Sequence, residues 1–471
     1  MIYRNYCMSI VFATILMLCY SSTAQTIFES NVGSGEGYQI KETADGGYII
    51  CGSTIAEATL MKIDSNGNYL WEKRFGDISG LHPEHGFYDL LIMNDGGYLL
   101  AGRGRPFNSN SFAYFVRTDI NGNQIWDLKV YSDIDSTWDE YYALKMYMTS
   151  NGRIIAAGRY EDNVGGINED YNITEIDTLG NLISQKHIDI ATEEFLTDFI
   201  YTDTAYYFLG NIPNMNNTIF NVTKTDTSGN IIISQSYGAS FNSDEMGYSM
   251  ILDSNENVHI AGATDYQPGG FYFINKYSIN GDTINTFIYS TSAPWPGIYT
   301  FSMVIMDNRY FLAGMLSFGT PDQALMVCVD TNGTELSRKF YGGADSDAFS
   351  RIIVASDSNL VCIGRTSSFS SLGQVYIVKM DPDIILNTDN GFLNDQFTLQ
   401  VNKSQINLEF QNANEMKTVS LYSIAGEKLY QSHTSQQTHI MYVSQYKTGI
   451  YFLNININGY GISKKIFLIK S

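Results

Sequence analysis

Asp45-Gly46-Gly47-Tyr48-Ile49-Ile50-Cys51-Gly52 is a tight-turn signal followed by a short β-rich run that ends on a small residue and glycine. The pattern returns six times. Its later runs are Tyr98-Leu-Leu-Ala-Gly102, Ile154-Ile-Ala-Ala-Gly158, Tyr206-Tyr-Phe-Leu-Gly210, Val258-His-Ile-Ala-Gly262, Tyr310-Phe-Leu-Ala-Gly314 and Leu360-Val-Cys-Ile-Gly364. Successive glycines are separated by 50, 56, 52, 52, 52 and 50 residues. A period near fifty with four β segments is the signature of propeller blades. Seven residues before each glycine stands Asp45, Asp95, Asn151, Asp203, Asn255, Asp307 or Asp357, a residue that favours turns.

A second turn follows in each unit, as Asp64-Ser-Asn-Gly67, Asp119-Ile-Asn-Gly122, Asp177-Thr-Leu-Gly180, Asp226-Thr-Ser-Gly229, Ser278-Ile-Asn-Gly281 and Asp330-Thr-Asn-Gly333. The seventh copy, at Asp381, lacks the glycine. Each unit therefore reads as a four-stranded antiparallel meander with two tight turns on one face and two variable connections on the other. The segment Thr26 to Gly33 resembles the fourth strand of the first unit, Leu70 to Gly76, which predicts that it is the outer strand of the last blade and closes the ring. An eight-bladed ring and a β-solenoid are the competing architectures. The expectation is an all-β chain in which a seven-bladed β-propeller over 25–387, with 25–33 as closing strand, is followed by a small C-terminal β-sandwich over 388–471.

The first residues carry one charge, Arg4, then an apolar run from Ile10 to Leu18, then Ser22-Thr23-Ala24 before Gln25. This predicts a secretory signal peptide over 1–24, cleaved after Ala24, with lipidation at Cys19 disfavoured by the bulky Leu18 before it. No later stretch has the roughly 18 apolar residues of a transmembrane helix. Beyond residue 24 only Cys51, Cys328 and Cys362 remain, without metal-ligand spacing. The chain past residue 24 carries 27 basic against 49 acidic residues, a balance that speaks against nucleic acid as partner.

After Asp381 the repeat stops. New β segments run from Phe397 to Val401, Ile406 to Phe410, Thr418 to Tyr422, Ile450 to Ile455 and Lys465 to Ile469. Within them stand Val419-Ser-Leu-Tyr422-Ser-Ile-Ala-Gly426-Glu427-Lys428-Leu429, Thr448-Gly449-Ile450-Tyr451-Phe452-Leu453 and Lys464-Lys465-Ile466-Phe467-Leu468-Ile469-Lys470. This module resembles the type A C-terminal sorting domain of type IX secretion substrates, although the Pro-Asn-Pro that often opens that domain is absent. The resemblance implies passage through the periplasm, recognition by the outer-membrane secretion machinery, and a secreted or cell-surface destination. A generic accessory sandwich is the alternative.

Function on such a scaffold resides in the variable connections. They hold Arg103, Arg105, Phe107, Trp138, Tyr266, Trp295 and Phe318, and Arg103, Arg105, Phe107, Trp138, Tyr266 and Trp295 form the candidate surface for a glycan or protein ligand. Packing between blades is the competing role for these rings. Acidic residues also recur before the inner strands, at Glu84, Asp139, Glu140, Glu193, Glu194, Asp244, Glu245, Asp345 and Asp347, and read as turn formers or hydrogen-bond partners of the next blade. The Asp-x-Asn-Gly turns resemble fragments of calcium loops but lack the later bidentate carboxylate, so no cofactor is expected, with calcium the alternative. His82-Pro-Glu-His85 is not HExxH, and its proline opposes the helix that such a site needs. With no nucleophile elbow, P-loop or paired-cysteine motif, the sequence favours a binding role; a glycan-active hydrolase or lyase using two carboxylates is the second reading.

Overall fold

The computed structural model describes residues 26–468, excepting 55, 77–83, 107–109, 132–139, 163–167, 191–194, 215–216, 238–243, 265–270, 279, 291–296, 318–320, 371–372, 384–396, 402–403, 411–415, 424–427 and 458–459. The expected signal peptide therefore lies outside the described residues. Those described are all β, without a helix, and accordingly none contains a helix long and apolar enough to cross a membrane.

Residues 26–380 make seven four-stranded antiparallel sheets. In six of them the strands follow chain order, as in Glu36–Glu42, Tyr48–Ser53, Ala58–Ile63 and Tyr69–Phe75 of the first. The seventh combines Asp347–Val354, Leu360–Thr366 and Gln374–Met380 with Thr26–Val32, which pairs antiparallel to the Gln374–Met380 strand from Thr26 opposite Met380 to Val32 opposite Val375. Ile27 is exposed at the position that Leu70, Ile125, Ile183, Ile232, Ile284 and Leu336 occupy in the other outer strands. The chemistry that lets Thr26–Val32 substitute for a fourth strand is thus visible in its own alternation.

The first strands, Glu36–Glu42, Glu84–Ile92, Glu140–Met148, Phe195–Thr202, Glu245–Leu252, Gly297–Met306 and Asp347–Val354, each pack on the first strand of the next sheet, and the last packs on the first. They ring a common axis, in the manner of a β-propeller. Apolar clusters fill the spaces between neighbouring sheets: Ile49, Leu60, Phe87 and Leu100 between the first and second, Phe311, Met326, Phe349 and Tyr376 between the sixth and seventh. The second strands are buried along most of their length, as in Tyr48–Ser53 and Val258–Thr264, because each faces another sheet on both sides.

The second-turn aspartates staple their own hairpins. Asp64 Oδ1 accepts from the Asn66 and Asn68 N–H at 2.9 and 2.8 Å while its Oδ2 accepts from Asn68 Nδ2 at 2.9 Å. Asp119, Asp177 and Asp226 repeat this arrangement. The first turns are tied to the third strand by charge, Asp45 to Lys62 at 3.0 Å and Asp357 to Lys379 at 2.6 Å. Cys51, Cys328 and Cys362 are buried and free.

The C-terminal module has two antiparallel sheets. Phe397–Val401, Gln405–Phe410 and Thr438–Tyr442 form one; Lys428–Thr434, Lys417–Ser423, Gly449–Ile457 and Tyr460–Leu468 form the other. Ile406, Leu408, Phe410 and Met441 of the first meet Val419, Leu421, Leu453, Ile455 and Leu468 of the second in one core. Strands Lys428–Thr434 and Thr438–Tyr442 escape a sequence reading because they are short or polar edge segments.

Candidate functional site

The glycine that defines the repeat has a mechanical cause. In every sheet the pairing of first and second strands slips by one residue at the same place, leaving Tyr38, Tyr88, Leu144, Thr197, Tyr248, Phe301 and Ser350 without a partner. Such a bulge bends the strand and re-aims a side chain. At the bulge a first-strand carbonyl swings over the second strand. A Cβ at Gly52, Gly102, Gly158, Gly262, Gly314 or Gly364 would collide with the carbonyl oxygen of Glu36, Gly86, Tyr142, Met246, Tyr299 or Ala348 respectively. Glycine is needed there for close approach, and the bulge it permits sets the site.

The unpaired residues sit on the innermost strands, and those of sheets one and two lean toward the variable connections. Ser53, at the end of a second strand, donates through Oγ to Tyr38 Oη at 3.2 Å, and the Tyr88 ring lies beside Gly86 near the start of its own strand. Neighbouring rings meet across sheet boundaries: Tyr38 and Tyr88 at 5.4 Å between centroids, Tyr88 and Tyr142 at 5.8 Å. On the fifth and sixth sheets Tyr248 meets Phe301 at 5.4 Å and Tyr299 at 6.5 Å. All six rings are half-buried. Two aromatic arcs, on sheets one to three and five to six, therefore border the mouth of the channel, separated by the small polar Thr197 and Ser350 of sheets four and seven.

Arginines flank the first arc. Arg103, Arg159 and Arg365 directly follow the repeat glycine on sheets two, three and seven, and Arg159 stacks over Tyr142 at 5.7 Å and over Phe195 at 4.7 Å. Burial pushes the Tyr38 phenol up to about 12, with Glu36 adding to the effect, and burial does the same to Tyr248. Both phenols consequently stay neutral across the physiological range, fit for stacking and hydrogen bonding.

Below the rings runs a polar belt. The first strand is an edge, so its inward N–H groups have no ladder partner and need another acceptor. On five of the seven sheets the residue after the bulge provides for them. Gln39 Oε1 takes the Ile40 N–H at 3.1 Å; Asp89 takes Leu90 N–H at 2.8 Å and, on the next sheet, Met146 N–H at 2.7 Å. Asp198 takes Phe199 N–H at 2.9 Å and Met250 N–H at 2.7 Å, Ser249 takes Met303 N–H at 3.1 Å, and Ser302 takes Ile352 N–H at 3.2 Å. Gln39 also donates to Asp89 at 2.9 Å, and Lys145 pairs with Asp198. Burial alone would depress the Lys145 ammonium, but the Asp198 carboxylate holds its pKa above the usual lysine value. The two cations of the belt, Lys145 and Arg351, serve none of these groups.

Of the residues singled out from sequence, Arg103 and Arg105 are half-buried on the second strand of sheet two, Arg105 opposite Glu84 in the register. Phe107, Trp138, Tyr266, Trp295 and Phe318 lie outside the described residues, as do Asp139, Glu193 and Glu194. Among the recurrent acids, Asp244 accepts the Thr218 N–H of the preceding sheet at 2.6 Å. Asp347 is buried and accepts from Gly343 N–H at 2.8 Å, in the connection from the sixth sheet, and from Ser368 Oγ at 2.7 Å, just past the end of its partner strand. His82 lies outside the described residues; His85 is buried beside Phe112 and Tyr114. No cluster of His, Cys, Asp and Glu among the described residues is arranged to hold a metal ion. The tyrosine arcs and the belt were missed, although a polar residue 12 or 13 positions before every repeat glycine was there to be read.

Residues 401–470 match the family described as the secretion system C-terminal sorting domain. The C-terminal module is thus a type IX sorting domain and marks the chain as a secreted or cell-surface protein. No curated protein matches the sequence. Solved structures similar to the chain include the extracellular domain of the one component system BT4673 from B. thetaiotaomicron, at 10% identity and a TM-score of 0.43 over 93% of this chain and 57% of that one. The polysaccharide lyase Uly1 aligns at 10% identity and a TM-score of 0.45 over 78% and 94% of the two chains. The Penicillium chrysogenum alpha-L-arabinanase aligns at 11% and 0.41 over 76% and 98%. The chain spans less than two thirds of the length of the first of these.

Proposed function

We propose that this chain is an exported binding protein. A signal peptide over 1–24 delivers it to the periplasm, the module over 388–471 engages the outer-membrane secretion machinery, and a seven-bladed β-propeller over 25–387 displays a ligand site outside the cell. The observation that carries the binding role is the pair of aromatic arcs at the channel mouth, Tyr38, Tyr88 and Tyr142 facing Tyr248, Tyr299 and Phe301, with arginines beside them. Half-buried rings, five of them phenols, offer flat apolar faces and hydrogen-bonding edges together, which suits a glycan or a protein side chain. Arg103, Arg105, Phe107, Trp138, Tyr266 and Trp295, the candidates read from the sequence, belong to the same proposal as contacts to that ligand.

A glycan-cleaving enzyme on the same scaffold would need two carboxylates free to act on substrate. The belt carboxylates Asp89 and Asp198 instead spend their oxygens on backbone N–H groups, which favours binding over cleavage. Truncation after residue 390 tests the export half of the reading: the shortened chain is expected to accumulate in the periplasm, and undiminished appearance outside the cell would refute it. A glycan array with a matched hydrolysis assay tests the other half. Retention without product supports binding; release of product overturns it.

A further inference from the structure

Arg351 stands apart from the other belt residues. All seven inward N–H groups at this level, from Ile40 to Ile352, are satisfied by Gln39, Asp89, Asp198, Ser249 and Ser302, so the fold's own hydrogen bonding does not call for a cation at position 351. Nor does it find a counterion. Lys145 is held by Asp198, whereas the buried Nε of Arg351 meets no acceptor and its guanidinium makes no ion pair among the described residues. Its field reaches Lys145 on the third sheet, which is not its neighbour in the ring, so both cations face the same channel. Access comes from above: the unpaired residue preceding it is Ser350, where the crown has a small hydroxyl in place of a ring. The Glu36 carboxylate beside this gap accepts from Ser350 Oγ at 3.0 Å.

In a chain of net charge −21, a half-buried guanidinium that pairs with no carboxylate among the described residues is available to an anion that reaches it. Guanidinium forks match carboxylates, and aromatic arcs match sugar rings. Building on the binding role proposed above, we infer that the channel mouth takes an acidic saccharide, with a sugar ring between the arcs and its carboxylate on Arg351. An acidic peptide presents carboxylates on flexible stems and no flat ring for six aromatic side chains, and so uses less of the site.

The test is titration calorimetry on the chain from residue 25, with oligogalacturonate, its methyl ester and a hexaglutamate peptide as probes, on wild type, Arg351→Gln, Tyr88→Ala and the outer-strand control Arg74→Gln. Circular dichroism first establishes that each variant is folded. Oligogalacturonate is expected to bind at least about tenfold tighter than its ester, and Arg351→Gln to lose that preference while binding the ester as before. Tyr88→Ala weakens both, and Arg74→Gln changes neither. If Arg351→Gln keeps the preference while Tyr88→Ala still weakens both, the carboxylate assignment fails and the aromatic site stands. Binding of hexaglutamate alone overturns the saccharide assignment, and indifference of every probe to Tyr88→Ala overturns the aromatic site itself.

Discussion

Replacing Asp89 by alanine tests whether the belt holds the ring together. Asp89 is 3% exposed, and its oxygens serve three donors on three sheets: Gln39 Nε2 at 2.9 Å, Leu90 N–H at 2.8 Å and Met146 N–H at 2.7 Å. Each buried donor left without an acceptor costs about 1–3 kcal/mol, so losing three, with partial relaxation, is expected to cost about 3–6 kcal/mol. Ser249→Ala supplies the internal scale, because that hydroxyl serves one N–H, of Met303 at 3.1 Å, and its loss should cost about 1–2 kcal/mol. Asp89→Asn keeps one acceptor oxygen but turns an amide donor toward a donor, and falls between. Urea unfolding of the three variants beside wild type, followed by circular dichroism and tyrosine fluorescence so that coincident transitions can be checked, gives the order directly. If Asp89→Ala proves no costlier than Ser249→Ala, channel water is satisfying these donors and the belt is not structural.

Three further outcomes follow from the same geometry. Gly158→Ala would set a Cβ against the Tyr142 carbonyl and should cost about 1–3 kcal/mol, whereas Gly152→Ala meets nothing within 4 Å and bears only the strain of a φ of +81°; urea midpoints that rank them the other way would undo the account of the repeat glycine. Deleting residues 26–32 exposes the edge of the Gln374–Met380 strand, and should yield aggregates in size-exclusion chromatography with light scattering; an unchanged monomer would show that closure by this strand is dispensable. Turn carboxylates are held below their usual range, Asp45 down to about 2 by the Thr43 hydroxyl, with the Gly47 N–H and Lys62 adding to it, and Asp64, Asp119, Asp177 and Asp226 by asparagine amides and turn N–H groups. Because the folded values are depressed, their stabilisation is complete above the unfolded carboxylate range and disappears as pH falls through the folded one; circular dichroism should thus show stability falling from about pH 4 toward pH 2, and a flat response over that window would contradict the assignment.

The repeat was legible because its punctuation is chemical. Turn aspartates and glycines answer to backbone geometry that apolar packing cannot supply, so seven copies survive in residues as different as Tyr48-Ile-Ile-Cys and Ile154-Ile-Ala-Ala. The likeness of Thr26–Val32 to an outer strand could be read for the same reason, since an outer strand shows one face to water and alternates accordingly. The site was harder. Attention to long connections led to Arg103 and Arg105 at the channel side and to rings in the connections, but not to Tyr38, Tyr88 or Tyr248, because an aromatic residue inside a strand reads as core. Only the slip in register tells them apart, and a bulge in the first strand leaves its sequence mark fourteen or so residues later, as a glycine on the second. Likewise the acids expected at the rim fell a few positions short of the belt: Glu84 was noted where Asp89 does the bonding, and Glu193 and Glu194 where Asp198 does.

The bulge also explains how this scaffold separates what it must keep from what it can change. The repeat glycine is fixed by a carbonyl that leaves no room for Cβ, and the belt is fixed by N–H groups that must find acceptors. The residue between them in space is bound by neither demand, because it has no cross-strand partner: on sheets one, two, five and six it carries an aromatic ring, whereas Leu144 packs against the core between sheets three and four and Thr197 donates to the Leu209 and Gly247 carbonyls. Tyrosine, leucine, threonine, phenylalanine and serine all occur there within this one chain. Seven such positions, one per sheet, surround a single axis, so exchanging a tyrosine for a serine at one of them alters the floor of the binding site while leaving the sheet pairing, the belt and the apolar packing between sheets as they were. The same argument locates Arg351 on the other side of the division, since it occupies a belt position without performing belt work, which leaves its guanidinium available to a ligand's charge.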